Sequence, residues 1–325
     1  MKALVFAEPR KAVVTDVEMP SIGPDEVLVQ SKKVGICHSD FELFEGRYIL
    51  PVSYPIIPGH EWSGEVAEVG TAVSGLKSGD RVVGECVVNG GDDHFGFTLS
   101  GAYTEFFVAK ATWLHRIPEE LTLAQGAFVE PLSVAYSAAV AADGIDASDR
   151  VAVVGGGPIG LLCAMTAAKM GGVVTLIEPQ AHRRELGRKV GCAHAIDPAA
   201  GPLRDQALPL TGGQGFSVVI EAAGHPAAMA SAFPIAAVGA RVVCVGIDIG
   251  GSAAVEIGLI QSRALQVRGI IGSMGLWPRT IRFLATSGMD PTALLTATYP
   301  LAEGSEALAA ARDTSRNVKV QITCG

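Results

Sequence analysis

Two domains, a β-rich one and a doubly wound parallel sheet of the α/β class, are predicted by three features of this 325-residue sequence. The first 130 residues alternate short β-rich runs with glycine and proline, and from Arg150 the rhythm changes to strand, helix, strand. At the first strand-to-helix junction of that second part stands a glycine turn, Gly155-Gly-Gly157-Pro158-Ile159-Gly160. A chain of this length exceeds one compact unit, so size alone also favours two domains.

In chain order, Lys2 to Phe6, Val13 to Val17, Glu26 to Lys33, Glu65 to Val69, Arg81 to Val88 and Tyr103 to Val108 read as strands of an antiparallel, barrel-like domain. Later strands are expected at Val151 to Val154, Val173 to Glu178, His194 to Asp197, Ser217 to Ala222, Arg241 to Val245 and Gln266 to Ile270. These six are mostly apolar and are spaced by helical stretches such as Ile159 to Met170 and Ala181 to Val190. Such strands pair in parallel and are covered on both faces. The sequence contains no internal repeat and no low-complexity linker.

Hydrophobic residues at 49% and charged residues at 18% describe an ordinary globular protein. A net charge of −8 without any basic run argues against nucleic acid as a partner. No uncharged run approaches the ~20 residues needed to span a bilayer, and Glu8 and Pro9 follow Met1 too closely for a signal-peptide core. Six scattered cysteines (37, 86, 163, 192, 244 and 324) fit reduced cytoplasmic thiols better than a disulfide framework. Cys163, Cys192 and Cys244 sit in apolar patterns and read as buried structural thiols.

The glycine turn follows a strand and opens an apolar helix, the context in which backbone N–H groups approach a dinucleotide pyrophosphate. Gly155, Gly157, Pro158, Ile159 and Gly160 are therefore candidate cofactor residues. Glu178 ends the next strand 18 residues beyond Gly160. A carboxylate there accepts ribose hydroxyls and repels a 2′-phosphate, which favours NAD over NADP. Arg183 and Arg184 oppose that choice if they hold the phosphate, and with Glu185 and Arg188 they otherwise form a solvated helix face.

Earlier in the chain, Gly35-Ile-Cys37-His38-Ser39-Asp40 and Pro58-Gly59-His60-Glu61 supply a thiolate, an imidazole and a carboxylate. Those ligand types suit zinc, and a set of three leaves a fourth position open for water or substrate. Cys37 and His60 are the leading ligands. A zinc ion in such a set lowers the pKa of a bound hydroxyl.

On these residues the chain resembles the zinc-dependent medium-chain dehydrogenases, the alcohol, sorbitol and threonine dehydrogenase family. Gly59-His60-Glu61-x₂-Gly64-x₅-Gly70-x₂-Val73 fits the family's zinc signature, and Cys37, Glu130-Pro131-Leu132 and the glycine turn follow in its order. The resemblance implies a GroES-like catalytic domain from 1–131 and 270–325 around a Rossmann domain from 132–269, and one catalytic Zn²⁺ with NAD. It implies hydride transfer between a secondary alcohol of the polyol, sugar-alcohol or cyclitol type and its ketone. Threonine or butanediol is the alternative substrate, and the alternatives of another class are a zinc-free NADPH quinone or enoyl reductase and a non-catalytic cofactor-binding protein.

The third metal ligand stays open between Glu61, beside His60, and Glu130, which by the resemblance sits where Cys₂His enzymes carry a second cysteine. Ser39 is the expected inner proton relay. Asp40 is the expected partner of His60, and Glu42 stands where many relatives place the histidine that finishes the relay. His38 either contacts the pyrophosphate or faces solvent. Between Cys86 and Gly101 the four-cysteine lobe of a structural zinc is missing, and Cys86, Asp92, Asp93 and His94 read as turn chemistry around Gly90-Gly91. Tyr48 and Trp62 read as packing aromatics, with the substrate pocket as the alternative. A homodimer or homotetramer is expected, with the apolar stretch Arg241 to Ile249 contributing to a subunit contact.

Overall fold

The computed structural model describes residues 1–273 and 275–325. The chain forms two compact units, one of Met1–Glu130, Trp277–Ala285 and Asp290–Gly325, the other of Pro131–Leu276 and Thr286–Met289.

The first unit begins with strands β1 (Lys2–Glu8), β2 (Lys11–Asp16) and β3 (Glu26–Gly35), helix α1 (His38–Phe44), and strands β4 (Glu61–Val69) and β5 (Arg81–Gly84). It continues with β6 (Val87–Val88), β7 (Asp93–His94), β8 (Phe106–Lys110), β9 (Leu114–Arg116) and the short helix α2 (Leu123–Gly126). β3 is the hub. It pairs antiparallel with β4 and with β8, because Val27, Val29 and Val34 bury branched side chains on a half-covered face. The expected strand over Arg81 to Val88 is broken: Glu85 and Cys86 separate β5 from a two-residue β6 that pairs with β7.

Helix α3 (Val129–Ala141) starts at the end of the first unit and leads into the second. There β10 (Arg150–Val154), α4 (Pro158–Lys169), β11 (Val173–Ile177), α5 (Ala181–Lys189), β12 (His194–Ile196), α6 (Leu203–Ala207), β13 (Phe216–Glu221), α7 (Pro226–Ile235), β14 (Ala236–Cys244), α8 (Leu259–Ser262) and β15 (Gln266–Gly269) alternate. All six strands anticipated from the apolar runs are present. They form one parallel sheet in the order β12-β11-β10-β13-β14-β15. That is the doubly wound order, in which direction reverses beside the first strand and the ligand crevice lies at the strands' carboxyl ends.

The chain then adds α9 (Trp277–Thr286), β16 (Leu295–Pro300), α10 (Gly304–Arg312) and β17 (Lys319–Thr323). β17 pairs antiparallel with β3, which brings the last residues of the chain against the strand that leads into Cys37. Among the described residues no helix is long and apolar enough to cross a membrane.

Candidate active site

β3 ends at Gly35, and the chain turns through Ile36 and Cys37 into α1. The antiparallel register sets Gly35 opposite Glu61, so strand pairing alone carries the Cys37 turn to the start of β4. His60 immediately precedes that strand. One donor atom from each of Cys37, His60 and Glu61 lies within 4.8 Å of the others, with His60 and Glu61 buried and Cys37 half-buried. This is a zinc donor set of sulfur, nitrogen and oxygen.

The surroundings suit a bound cation. Asp40 is fully buried, and its Oδ2 accepts the Cys37 N–H at 2.9 Å and the Tyr103 hydroxyl at 2.8 Å. Asp40 Oδ1 lies 3.5 Å from His60 Nδ1, and among the described residues neither atom has a hydrogen-bond partner. Burial opposes charge on His60, but the Asp40 carboxylate and then Cys37 outweigh it and hold its pKa well above the ordinary histidine value. A Cβ on Gly35 would overlap the Glu61 carboxylate and stand 3.1 Å from Lys319 Cε. Only glycine leaves the space in which these two side chains meet.

Lys319, from β17, forms an ion pair with Glu61 and donates from Nζ to the Ile36 carbonyl at 2.9 Å. Both side chains are almost completely buried, so each charge depends on the other; removing one partner of such a pair costs about 3–5 kcal/mol. Glu130 belongs to the same field. Burial pushes its pKa up to about 7, against the pull of His60 and with the Glu61 charge adding to the rise. It lies outside the three-donor group.

In the second unit, Gly155 adopts a φ of 101° and Gly157 caps α4, with Pro158 at the first helical position. A side chain on Gly160 would collide with the Gly155 carbonyl, so the tight turn depends on glycine there. The buried Glu178 accepts the Gly156 N–H on Oε2 at 2.7 Å and the Gln180 N–H on Oε1 at 2.8 Å. Its carboxylate is thereby fastened to the glycine turn. The neighbouring arginines differ from the solvated face expected of them. Arg184 donates to the carbonyls of Glu178 and Pro179 and pairs with Asp197 at 3.0 Å, and Arg183 is buried. Ala181, His182, Glu185, Arg188 and Lys189 are the exposed residues of α5.

Residues 23–119 match the family model of the alcohol dehydrogenase GroES-like domain, and residues 158–286 match that of the zinc-binding dehydrogenases. The sorbitol dehydrogenase of Bacillus subtilis is 30% identical over 95% of this chain and 92% of its own length. The chain belongs to the zinc-binding dehydrogenases with a GroES-like domain. It is an alcohol or polyol oxidoreductase of that family, acting on a CH–OH group. An L-threonine 3-dehydrogenase of Vibrio parahaemolyticus is 29% identical, covering 94% of each chain. A zinc-binding dehydrogenase of Sinorhizobium meliloti, solved bound to NADP, superposes with a TM-score of 0.93 at 29% identity over 99% of this chain and 98% of its own. Residues 109–193 also match a model of pyridine nucleotide-disulphide oxidoreductases. That span includes the glycine turn, and its two cysteines, Cys163 and Cys192, are buried, with burial pushing both thiols up to about 12.

Within this zinc-binding dehydrogenase the remaining candidates divide. Ser39 is half-buried on the first turn of α1, and among the described residues nothing engages its hydroxyl. Glu42 lies 3.5 Å from His38 Nε2 and 3.3 Å from Arg47, with the His38 side chain largely exposed. Sequence reasoning missed Lys319, Tyr103 and Phe97. The Phe97 ring packs on the His60 ring with centroids 4.6 Å apart.

Proposed function

We propose that this chain is a zinc-dependent NAD(H) oxidoreductase that interconverts a secondary alcohol of the polyol, sugar-alcohol or cyclitol type and its ketone. The observation that carries the reading is the convergence of Cys37, His60 and Glu61, a site richer in oxygen than one with a second cysteine. In this reading those three hold the metal, and Glu130 stays outside as a carboxyl of raised pKa. Bound zinc supplies a Lewis acid that lowers the pKa of the substrate hydroxyl, and bound NAD supplies the hydride acceptor.

The protein's own groups do the rest. Asp40 orients the His60 ring, and Lys319 balances the Glu61 charge. Ser39 takes the alcohol proton and Glu42 carries it outward. Glu178 accepts the ribose hydroxyls, while the glycine turn and the start of α4 receive the pyrophosphate.

A homo-oligomer is part of the proposal. β15 is an edge strand whose residues are all exposed, and Ile247 and Ile249, in the stretch that follows β14, are 59% and 73% exposed; an uncovered edge and exposed apolar residues both favour association with a second copy. A cytoplasmic setting is supported by six free cysteines.

The test is NADH formation with a panel of xylitol, sorbitol, inositol, 2,3-butanediol and threonine, repeated with NADP. Polyols with NAD are the expected pair, and threonine as the sole substrate would favour the alternative. Glu178→Ala is expected to narrow the preference for NAD by roughly one to two orders of magnitude, the loss of a charged hydrogen bond worth ~1.5–3 kcal/mol. A wild-type preference for NADP would contradict the assignment of Glu178.

A further inference from the structure

The hairpin that stands in place of the missing cysteine lobe builds one wall of the candidate site. Asn89 Nδ2 donates to Asp93 Oδ2 at 2.7 Å across its turn. The His94 carbonyl then collects the N–H groups of Phe97, Thr98 and Leu99 at 3.0, 2.9 and 3.1 Å, while the His94 N–H donates to Thr98 Oγ1 at 2.8 Å. So many bonds on one residue fix the backbone from which its side chain projects. Phe97, held by this turn, lies on His60 on one side and on Tyr48 on the other. Its stack with Tyr48 is nearly parallel, at 4.2 Å and 3°.

The outer ring of that stack carries a polar tip. Tyr48 Oη lies 3.4 Å from His94 Nδ1, a contact long enough to leave the phenol oxygen room for a second partner. Burial, with the nearby Cys86, pushes the Tyr48 phenol up, and burial pushes the His94 imidazole down against the pull of Asp93. Tyr48 packs against the apolar cluster that contains the buried Phe95, Phe97 and Trp62. One phenol–imidazole pair on an apolar wall beside the metal ligands is the arrangement that separates a substrate with a second hydroxyl from one without it.

We propose that Tyr48, positioned by His94, is a specificity-determining residue that binds a second hydroxyl of the substrate, next to the carbon that is oxidised. The proposal rests on the polyol dehydrogenase reading above. It makes the ligand class a vicinal diol or polyol. In this role Tyr48 touches substrate, and His94 acts through Tyr48 as a positioning residue.

The experiment compares kcat/KM for 2,3-butanediol and 2-butanol, alcohols of equal chain length, in the zinc-loaded enzyme with NAD. Wild type is expected to prefer the diol. Tyr48→Phe, which keeps the ring stack, is expected to lower the diol-to-monoalcohol ratio about tenfold or more, mainly through KM for the diol. His94→Leu should lower it similarly and add little to Tyr48→Phe. His94→Gln, which keeps an acceptor for the phenol, should restore much of the ratio, a rescue that a purely structural role does not produce. Turnover of both alcohols with an unchanged ratio in Tyr48→Phe overturns this proposal alone. No wild-type turnover of any alcohol overturns the polyol reading and the proposal with it.

Discussion

Alanine in place of His60 is expected to lower kcat/KM by about a thousandfold or more while leaving NADH binding close to wild type. The magnitude follows from losing the several kcal/mol of charge stabilisation that a bound metal supplies, at 1.36 kcal/mol for each factor of ten. Binding survives because the glycine turn, Glu178 and the start of α4 all belong to the other compact unit. Cys37→Ala should behave alike. NADH fluorescence titration and steady-state kinetics on the same samples check both halves, and full turnover in either variant contradicts a metal role for the pair.

Ser39→Ala is the second large effect. Ser39 is two residues from Cys37, half-buried on the first turn of α1, and in the proposed mechanism its hydroxyl receives the alcohol proton. General acid–base contributions of about 10²–10⁴ set the expected fall in kcat. Glu42→Gln should cost far less and should change the pH profile of kcat, because Glu42 lies by His38 and Arg47, where water can replace it. A fully active Ser39→Ala removes the serine from the mechanism. An unchanged profile in Glu42→Gln assigns the proton exit to solvent.

The two halves of the fold are legible in the sequence for a local reason. Val151 to Val154 and its five companions are apolar runs of strand length, each followed by a turn and mostly by a helix, and that pattern survives in the parallel sheet with its ends moved by a residue or a few. The break at Glu85–Cys86 has only a weak signal, Gly84-Glu85 between two Val-Val pairs; the pairing partners, β4 and β9 for one half and β7 for the other, divide the segment.

At the site, Cys37, His60 and Glu61 stand out as ligand types on two short segments, and the β3–β4 register brings them together. Choosing between Glu61 and Glu130 is another matter, since the separation of their carboxylates depends on packing. Lys319 is out of reach for the same reason. It meets Glu61 only because β17 lies along β3, a pairing between the last strand and the third that no spacing signals. The burial of Arg183 and the anchoring of Arg184 on strand-end carbonyls are likewise tertiary facts. From sequence the two read as one charged helix face. His94 reads as turn chemistry from sequence; its place in β7 and its contact with Tyr48 are tertiary facts.

Metal content of the purified, zinc-loaded chain, measured by elemental analysis beside the Cys37→Ala and His60→Ala variants, tests the central claim most directly. One tightly held zinc per chain in wild type and substoichiometric zinc in both variants is the expected result, since one three-donor group is present among the described residues and the four-cysteine lobe is absent from the sequence. Two tightly held zincs per chain, or a full zinc in either variant, would contradict a single catalytic centre built on Cys37, His60 and Glu61.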